Sequence, residues 1–407
     1  MKAFILAAGK GTRMSPLTAY NPKPLLTVAG KPIIQHTIDA IEDTVDEIII
    51  LVGWQSKRIK EKIRSDKVDI TFARQEKPLG TAHAVSIAEK YVDGKFICVN
   101  GDVIIIDEAV DSFIDDFKKQ EGSMMGLARV EDPRSYGVIS VQDGLVKDII
   151  EKPEVPPTDL VNAGFYGFTP DIFDAIDRTE KSTRGEYEIT DSLRILMDEQ
   201  ELKGHEIVQE GWIELSRPWE LLSANWNLLE KGSVKKMEKG EIEDGVHMEG
   251  WVSIGEGTKI KRGSYIQGPV CIGKNSDIGP NCLIRACTSI GDNCKVGNAV
   301  EVKNSIVMDG TNVPHHNYVG DSVLGMNCNL GSGSKVANLR LDEKNIIVTH
   351  RGKKVDTGRR KLGVIMGDNV KTGINSMMNT GTIIGEDSFI GPGSLADGEI
   401  GPKSRIQ

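Results

Sequence analysis

Gly9, Gly11, Arg13 and Lys23, close together near the start of the chain, have the types and spacing to hold a polyphosphate. They fall in the stretch LAAGKGTRMSPLTAYNPK, where the apolar run Ala3-Phe4-Ile5-Leu6-Ala7-Ala8 opens straight into a glycine loop. The run reads as a buried parallel strand. Glycine lets backbone N–H groups approach phosphate oxygens, and a strand-to-helix turn aims those donors at an anion. Two cations close behind suit a ligand with several phosphates, so the stretch reads as a nucleoside-triphosphate loop. It is not a P-loop, because no Gly-Lys-Ser/Thr occurs at the required spacing. Met14 stands where a dinucleotide fingerprint has its third glycine. The competing reading is an ordinary tight βα turn.

Further candidates follow in the first half. Gln75-Glu76-Lys77-Pro78-Leu79-Gly80-Thr81 sets a polar amide and a glycine turn before a helix, so Gln75 can read a base edge while Gly80 lets the base lie near the backbone. A plain turn explains the same residues. Asn100-Gly101-Asp102 ends an apolar strand, where an aspartate suits Mg²⁺, a cation that takes one or two carboxylates plus phosphate oxygens. A helix N-cap is the alternative for Asp102. Gly137, Glu151, Lys152 and Asn162 follow in an order that can serve sugar hydroxyls and a sugar phosphate.

These residues need a scaffold, and the chain offers two. Up to about residue 230, apolar strand-like runs such as 47–52 and 95–99 alternate with helical patterns such as 33–41 and 81–91. That alternation predicts an α/β, Rossmann-like domain over 1–230 with a mostly parallel sheet. Residues 217–230 read as its closing helix, and the polar stretch 231–245 as a linker. Over 246–407 the pattern changes: an aliphatic residue recurs every sixth position from Ile254 through Ile260, Ile266 and Ile272 to Val302 and Met308, often followed by glycine. This is the period of a hexapeptide parallel β-helix. The register is expected to slip at Pro314, to resume at Tyr318 and Leu324, and to break again over 338–363. The slip falls on His315-His316, where an imidazole can act as a general base, and the break is rich in Lys and Arg.

Composition narrows the class. A chain of 407 residues with net charge −9 has room for two or three domains but no broad basic field, which argues against nucleic acid and membrane surfaces. No apolar stretch reaches ~18 residues, so a soluble, cytoplasmic protein is expected. The six cysteines form no C-x-x-C pair and read as reduced, buried fillers.

The motifs LAAGKGTRM…NPKPLL, QEKPLGTAHA, NGD, SYGVI, IIEKP and VNAGFYGF occur in the order of the sugar-1-phosphate nucleotidyltransferases, which the first ~220 residues resemble. The resemblance implies in-line attack of a sugar 1-phosphate on the α-phosphorus of a nucleoside triphosphate, releasing pyrophosphate. Arg13 and Lys23 would stabilise the departing charge. Leu6, Ala8, Gly9, Gly11, Gln75, Gly80 and Thr81 would bind the nucleotide, and Gly137, Glu151, Lys152 and Asn162 the sugar and its phosphate. Asp102 would hold Mg²⁺ with Glu214, although here Glu214 and Ser216 stand where the family pattern has Asp and Gly.

In the second half, VPHHNYVGDSVLG and NLGSGSKVANL are similar to the histidine loop and acetyl-CoA segment of the bifunctional acetyltransferase/uridyltransferases of UDP-N-acetylglucosamine synthesis, in their archaeal form. That resemblance implies a left-handed β-helix and a homotrimer assembled through it. It makes His315, with His316 as rival, the base of acetyl transfer. Arg285, Lys303, Tyr318 and Asn329 would bind glucosamine 1-phosphate, and Ser332 and Asn338 acetyl-CoA. UTP or dTTP would be the nucleotide. Two other readings stay open: a single-activity thymidylyl- or uridylyltransferase with a regulatory β-helix, and a non-catalytic regulatory subunit.

Overall fold

In the computed structural model, which describes residues 1–208, 210–232 and 236–407, the chain forms two compact units. The first comprises Met1–Lys10 and Ile33–Glu214. Its core is a nine-stranded sheet in the spatial order Asp69–Arg74, Glu47–Val52, Lys2–Ala7, Phe96–Asn100, Leu160–Phe168, Met124–Arg129, Lys203–Glu206, Leu145–Glu151, Gly137–Gln142. The first four strands run parallel. Ile48, Ile49, Ile50 and Leu51 are all fully buried, as a parallel strand covered on both faces requires.

Beyond Phe96–Asn100 the sheet turns mixed, because Leu160–Phe168 enters antiparallel to it and to Met124–Arg129. Parallel pairing, expected over most of the sheet, joins the first four strands and again Met124–Arg129 to Lys203–Glu206. The hairpin of Gly137–Gln142 with Leu145–Glu151 carries two glycine-linked, alternating segments that pair locally.

The second unit comprises Gly11–Pro32 and Leu215–Gln407. Its coils stack in parallel with the expected period: Ile260 pairs with Ile278, Ile266 with Ile284 and Ile272 with Ile290. Three families of parallel sheets run along it, and the paired aliphatic residues form one continuous interior column. Asn275, Asn281 and Asn293 turn corners with φ of 53°, 51° and 56°, a left-handed conformation that asparagine adopts more readily than other residues with a side chain.

The register differs from expectation at two corners, where Val302 to Val307 and Val319 to Leu324 each span five residues instead of six. Ile290 pairs with Val307 and Val302 with Val319, each one residue short of the period. The slips thus fall at the corners around Asn304 (φ 44°) and Asp321 (φ 50°), on either side of Pro314. Val307 and Val319 fill the interior column in place of Met308 and Tyr318. Tyr318 consequently points outward, half-buried.

The boundaries differ too. The helix Glu220–Glu230, read as the close of the first half, belongs to the second unit. Its fully buried Asn225 accepts from the Ala29 N–H at 2.8 Å and donates to the Cys287 carbonyl at 2.8 Å. The coils begin inside the expected linker, with Glu241–Ile242 paired to Lys259–Ile260. Residues 233–235 of that linker lie outside the described residues. The 338–363 break contains the antiparallel hairpin Ile347–His350 and Lys353–Asp356, whose tip is held where the N–H groups of Arg351 and Gly352 donate to Glu399 at 2.6 and 2.9 Å.

All six cysteines are free and buried, and burial pushes the Cys271 thiol up to about 11, which keeps it protonated and unreactive at neutral pH. No helix among the described residues is long and apolar enough to cross a membrane.

The revised register is testable by denaturant unfolding. Val319→Ala should cost about 2 kcal/mol by opening a gap in the column, whereas Leu395→Ala, on the outer face, should change stability by less than about 0.5 kcal/mol.

Candidate active sites

In the first unit the candidate residues gather where the parallel strands end. The Gly101 N–H donates to the Leu6 carbonyl at 2.9 Å, tying the Asn100-Gly101-Asp102 turn to the strand that leads into Ala8 and Gly9. A Cβ added at Gly9 would meet nothing within 4 Å, so the approach to its backbone is open. Trp212–Glu214 pairs antiparallel with Val103–Ile105, and Glu214 stands opposite Val103. Asp102 and Glu214 therefore sit at adjoining ends of two paired strands. Two neighbouring carboxylates match what Mg²⁺ requires of a protein when substrate phosphates complete its shell. Among the described residues no group of three or more His, Cys, Asp or Glu forms a metal cage.

A second cluster joins Gly137, Glu151 and Asn162. Gly137 and Glu151 face each other across the hairpin. A Cβ at Gly137 would lie 3.3 Å from Glu151 Oε2 and 3.7 Å from Asn162 Cβ, so only glycine leaves this corner open. Glu151 pairs with Lys152 at 2.7 Å and with Arg184 at 3.3 Å. Asn162 donates to the Tyr166 hydroxyl at 2.8 Å and accepts from the Gly164 N–H at 2.9 Å, which fixes its amide. The Trp212 indole N–H donates to the Ala163 carbonyl at 2.8 Å, tying the Glu214 strand to this cluster.

The nucleotide candidates behave differently. Gln75 is buried, with Nε2 2.9 Å from His83 Nδ1, so one side of its amide is already engaged. Gly80 (φ 121°) has no room for a side chain, since a Cβ would come 2.6 Å from the Tyr187 nitrogen. Thr81 Oγ1 accepts from the Ile189 N–H at 2.9 Å. Gly80 and Thr81 thus clamp the 187–189 segment. Gly11, Arg13 and Lys23 belong to the second unit. There Gly11 turns left-handed (φ 63°), and a Cβ on it would be 2.6 Å from Lys23 Cβ. The loop closes on itself, with Arg13 exposed and Lys23 buried.

Along the coils the candidates fall in two groups. Arg285, Lys303, Tyr318 and Asn338 share one flank. Arg285 pairs with Glu301 at 3.0 Å. Asp321 collects the rest: it takes Lys303 at 3.6 Å, Asn338 at 2.5 Å and Asn304 at 2.7 Å. Asn338 also lies 3.3 Å from the Tyr318 hydroxyl, and burial raises the Tyr318 pKa, with Glu301 adding to the effect. A cleft of about 540 Å³ opens beside Tyr318, Glu301 and Lys335.

His315, Asn329 and Ser332 form the other group. His315 ends the strand Asn312–His315 and is exposed, and Asn329 bridges to Asn312 in the same sheet. The Gly333 N–H donates to the His315 carbonyl at 3.1 Å, bringing Ser332 alongside. His316 turns the corner (φ 52°) between this sheet and the one bearing Tyr318. Within one chain the expected base thus lies on a different sheet from Arg285, Lys303 and Tyr318, and of the expected acceptor residues Asn329 alone accompanies it. Asn338, expected beside the coenzyme, joins the acceptor group instead.

Three residues escaped the sequence reading: His83, Arg184 and Asp321. Asp321 stood within the Gly-Asp-Ser stretch of the histidine loop but looked like any left-handed corner residue (φ 50°).

Comparison with known proteins agrees with this architecture. The family model "Nucleotidyl transferase" matches residues 2–255, and "GMPPB C-terminal domain" matches 266–393. The chain is 43% identical to the bifunctional protein GlmU of Methanocaldococcus jannaschii over 98% of its own length and 96% of that protein. It is 38% identical to a bifunctional sugar-1-phosphate nucleotidylyltransferase/acetyltransferase of Sulfurisphaera tokodaii, covering 98% of both. A solved UDP-glucose pyrophosphorylase, bound to UDP-glucose, shares the fold of part of the chain, with a TM-score of 0.51, 23% identity, and coverage of 57% of this chain and 99% of that one. On the family match over residues 2–255 and the full-length relatives, the chain belongs to the nucleotidyl transferase family.

Proposed function

We propose that this chain is a bifunctional enzyme of UDP-N-acetylglucosamine synthesis, acetylating glucosamine 1-phosphate with acetyl-CoA and then joining the product to UMP from UTP. The observation that carries the reading is the 43% identity to a bifunctional relative, which runs through both the sheet unit and the coils.

In nucleotidyl transfer, a phosphate oxygen of the sugar 1-phosphate attacks the α-phosphorus in line. The bond from that phosphorus to the bridging oxygen breaks, and pyrophosphate leaves. The backbone N–H groups around Gly9 and Gly11 cradle the triphosphate, and Arg13 and Lys23 take up charge on the departing pyrophosphate. Gln75 reads the base with the side of its amide that His83 leaves open. Glu151, Gly137 and Asn162 hold the sugar, with Lys152 on its phosphate. Asp102 and Glu214 would hold Mg²⁺, which when bound neutralises phosphate charge.

In acetyl transfer, His315 removes a proton from the sugar amine as the nitrogen attacks the thioester carbonyl, and the coenzyme departs as its thiol. Arg285 and Lys303 meet the substrate phosphate, with Tyr318, Asn329 and Asn338 on the amino sugar and Ser332 toward the coenzyme. A homotrimer would complete this site, because a neighbouring copy can bring the His315 sheet of one chain to the Tyr318 flank of another. The acidic net charge and the free thiols agree with a soluble enzyme of the reducing cytoplasm.

Parallel assays of pyrophosphate release and of free coenzyme thiol test the reading, with UTP and dTTP each offered glucosamine, N-acetylglucosamine and glucose 1-phosphates. Thiol release with glucosamine 1-phosphate is expected, and its absence would leave a single-activity nucleotidyltransferase. Asp102→Asn should lower pyrophosphate release by about 100-fold or more while thiol release persists. His315→Ala should do the reverse, by roughly 100- to 10,000-fold. Chelating Mg²⁺ should stop pyrophosphate release alone.

A further inference from the structure

We propose that the coils also position the nucleotide loop for nucleotidyl transfer, acting through Tyr20 and Asn21. The inference rests on the nucleotidyl-transfer reading above. Residues Gly11–Pro32 cluster with the coils and not with the sheet that precedes them in sequence. Their anchors are directional and polar. The Tyr20 hydroxyl donates to Asp387 Oδ2 at 2.5 Å, and the Asn21 amide donates to Asp368 Oδ2 at 2.9 Å. Asp368 and Asp387 occupy successive coils, joined by the Asp387 N–H donating to the Asp368 carbonyl at 2.9 Å. His350 of the hairpin holds the Ser15 carbonyl through Nε2 at 3.0 Å. The buried Met14, Leu17 and Leu26 supply apolar stabilisation to the segment, whereas its hydrogen bonds to charged acceptors fix orientation.

The anchors lie where they can set the cations. Asn21 precedes Pro22-Lys23-Pro24, and the two proline rings restrict the backbone on either side of Lys23. The Thr18 hydroxyl donates to the Gly11 carbonyl at 2.9 Å, and Gly11 abuts Lys23 Cβ, so the two ends of the loop move together. A displacement of Tyr20 or Asn21 is therefore passed to Gly11 and Lys23. Tyr20, Asn21, Asp368 and Asp387 are positioning residues, acting on the nucleotide only through those groups. The site they support tolerates little misplacement, since transition-state stabilisation depends on fixed donors and charges.

Tyr20→Phe removes the hydrogen bond and Asp387→Asn removes the charge of its acceptor, each while keeping the shape. Either should lower kcat for pyrophosphate release roughly three- to tenfold, leave thiol release from acetyl-CoA unchanged, and leave the unfolding midpoint nearly in place. Because both act on one contact, the double variant should be no worse than the more affected single one. Unchanged kcat, or parallel loss of both activities with the unfolding midpoint, would overturn the inference. Amide exchange over residues 11–26 of the same samples separates this failure from failure of the functional reading. Exchange there should quicken about threefold or more in Tyr20→Phe even if no pyrophosphate is released, and unchanged exchange would also overturn the inference.

Discussion

Everything in the second unit depends on backbone hydrogen bonds between one coil and the next. A parallel coil can pair with its neighbour only if each turn closes after a fixed length of chain, so that like positions come to lie above one another. That constraint brings Ile266, Ile284 and Val302 into line, and it also puts Arg285 beside Lys303. The functional candidates on this flank are thus placed by the pairing that forms the core. Their side chains add only local detail, chiefly at Asp321, which draws Lys303, Asn304 and Asn338 together.

The same constraint explains what the sequence could and could not disclose. A six-residue aliphatic period is a one-dimensional signal, and it located the interior column over most of its length. It failed between Val302 and Leu324, where two corners each lost one residue. There two adjacent buried positions, Val307 and Met308, compete for one place, and counting alone favours the wrong one. The error had a consequence for Tyr318, which cannot both fill the column and touch a ligand. With Val319 inside, the phenol is left for the flank, where Asn338 meets its hydroxyl.

In the first unit, legibility followed distance along the chain. Asp102 and the glycines were visible because short motifs carried them. Glu214 was reached as the neighbour of Asp102 only through the family resemblance, because the two strands pair from distant parts of the chain, and Arg184 reaches Glu151 across 33 residues. No local pattern encodes such meetings. Gly80 and Thr81 show both sides: their motif was legible, but their contacts with Tyr187 and Ile189 were not. The domain boundary was hidden for a related reason, since nothing in 11–32 announces that its anchoring acids lie beyond residue 360.

The hairpin between Val336 and Val364 leaves the stack at one corner, and the next coil resumes its pairing with Val323–Leu324 as though nothing intervened. A corner is the one place where chain can be added without changing the spacing between paired positions. Selection could therefore lengthen, recharge or re-aim this excursion without retuning any coil. The surface that the hairpin tip covers beside Glu399 is free to diversify while the column beneath it stays constant.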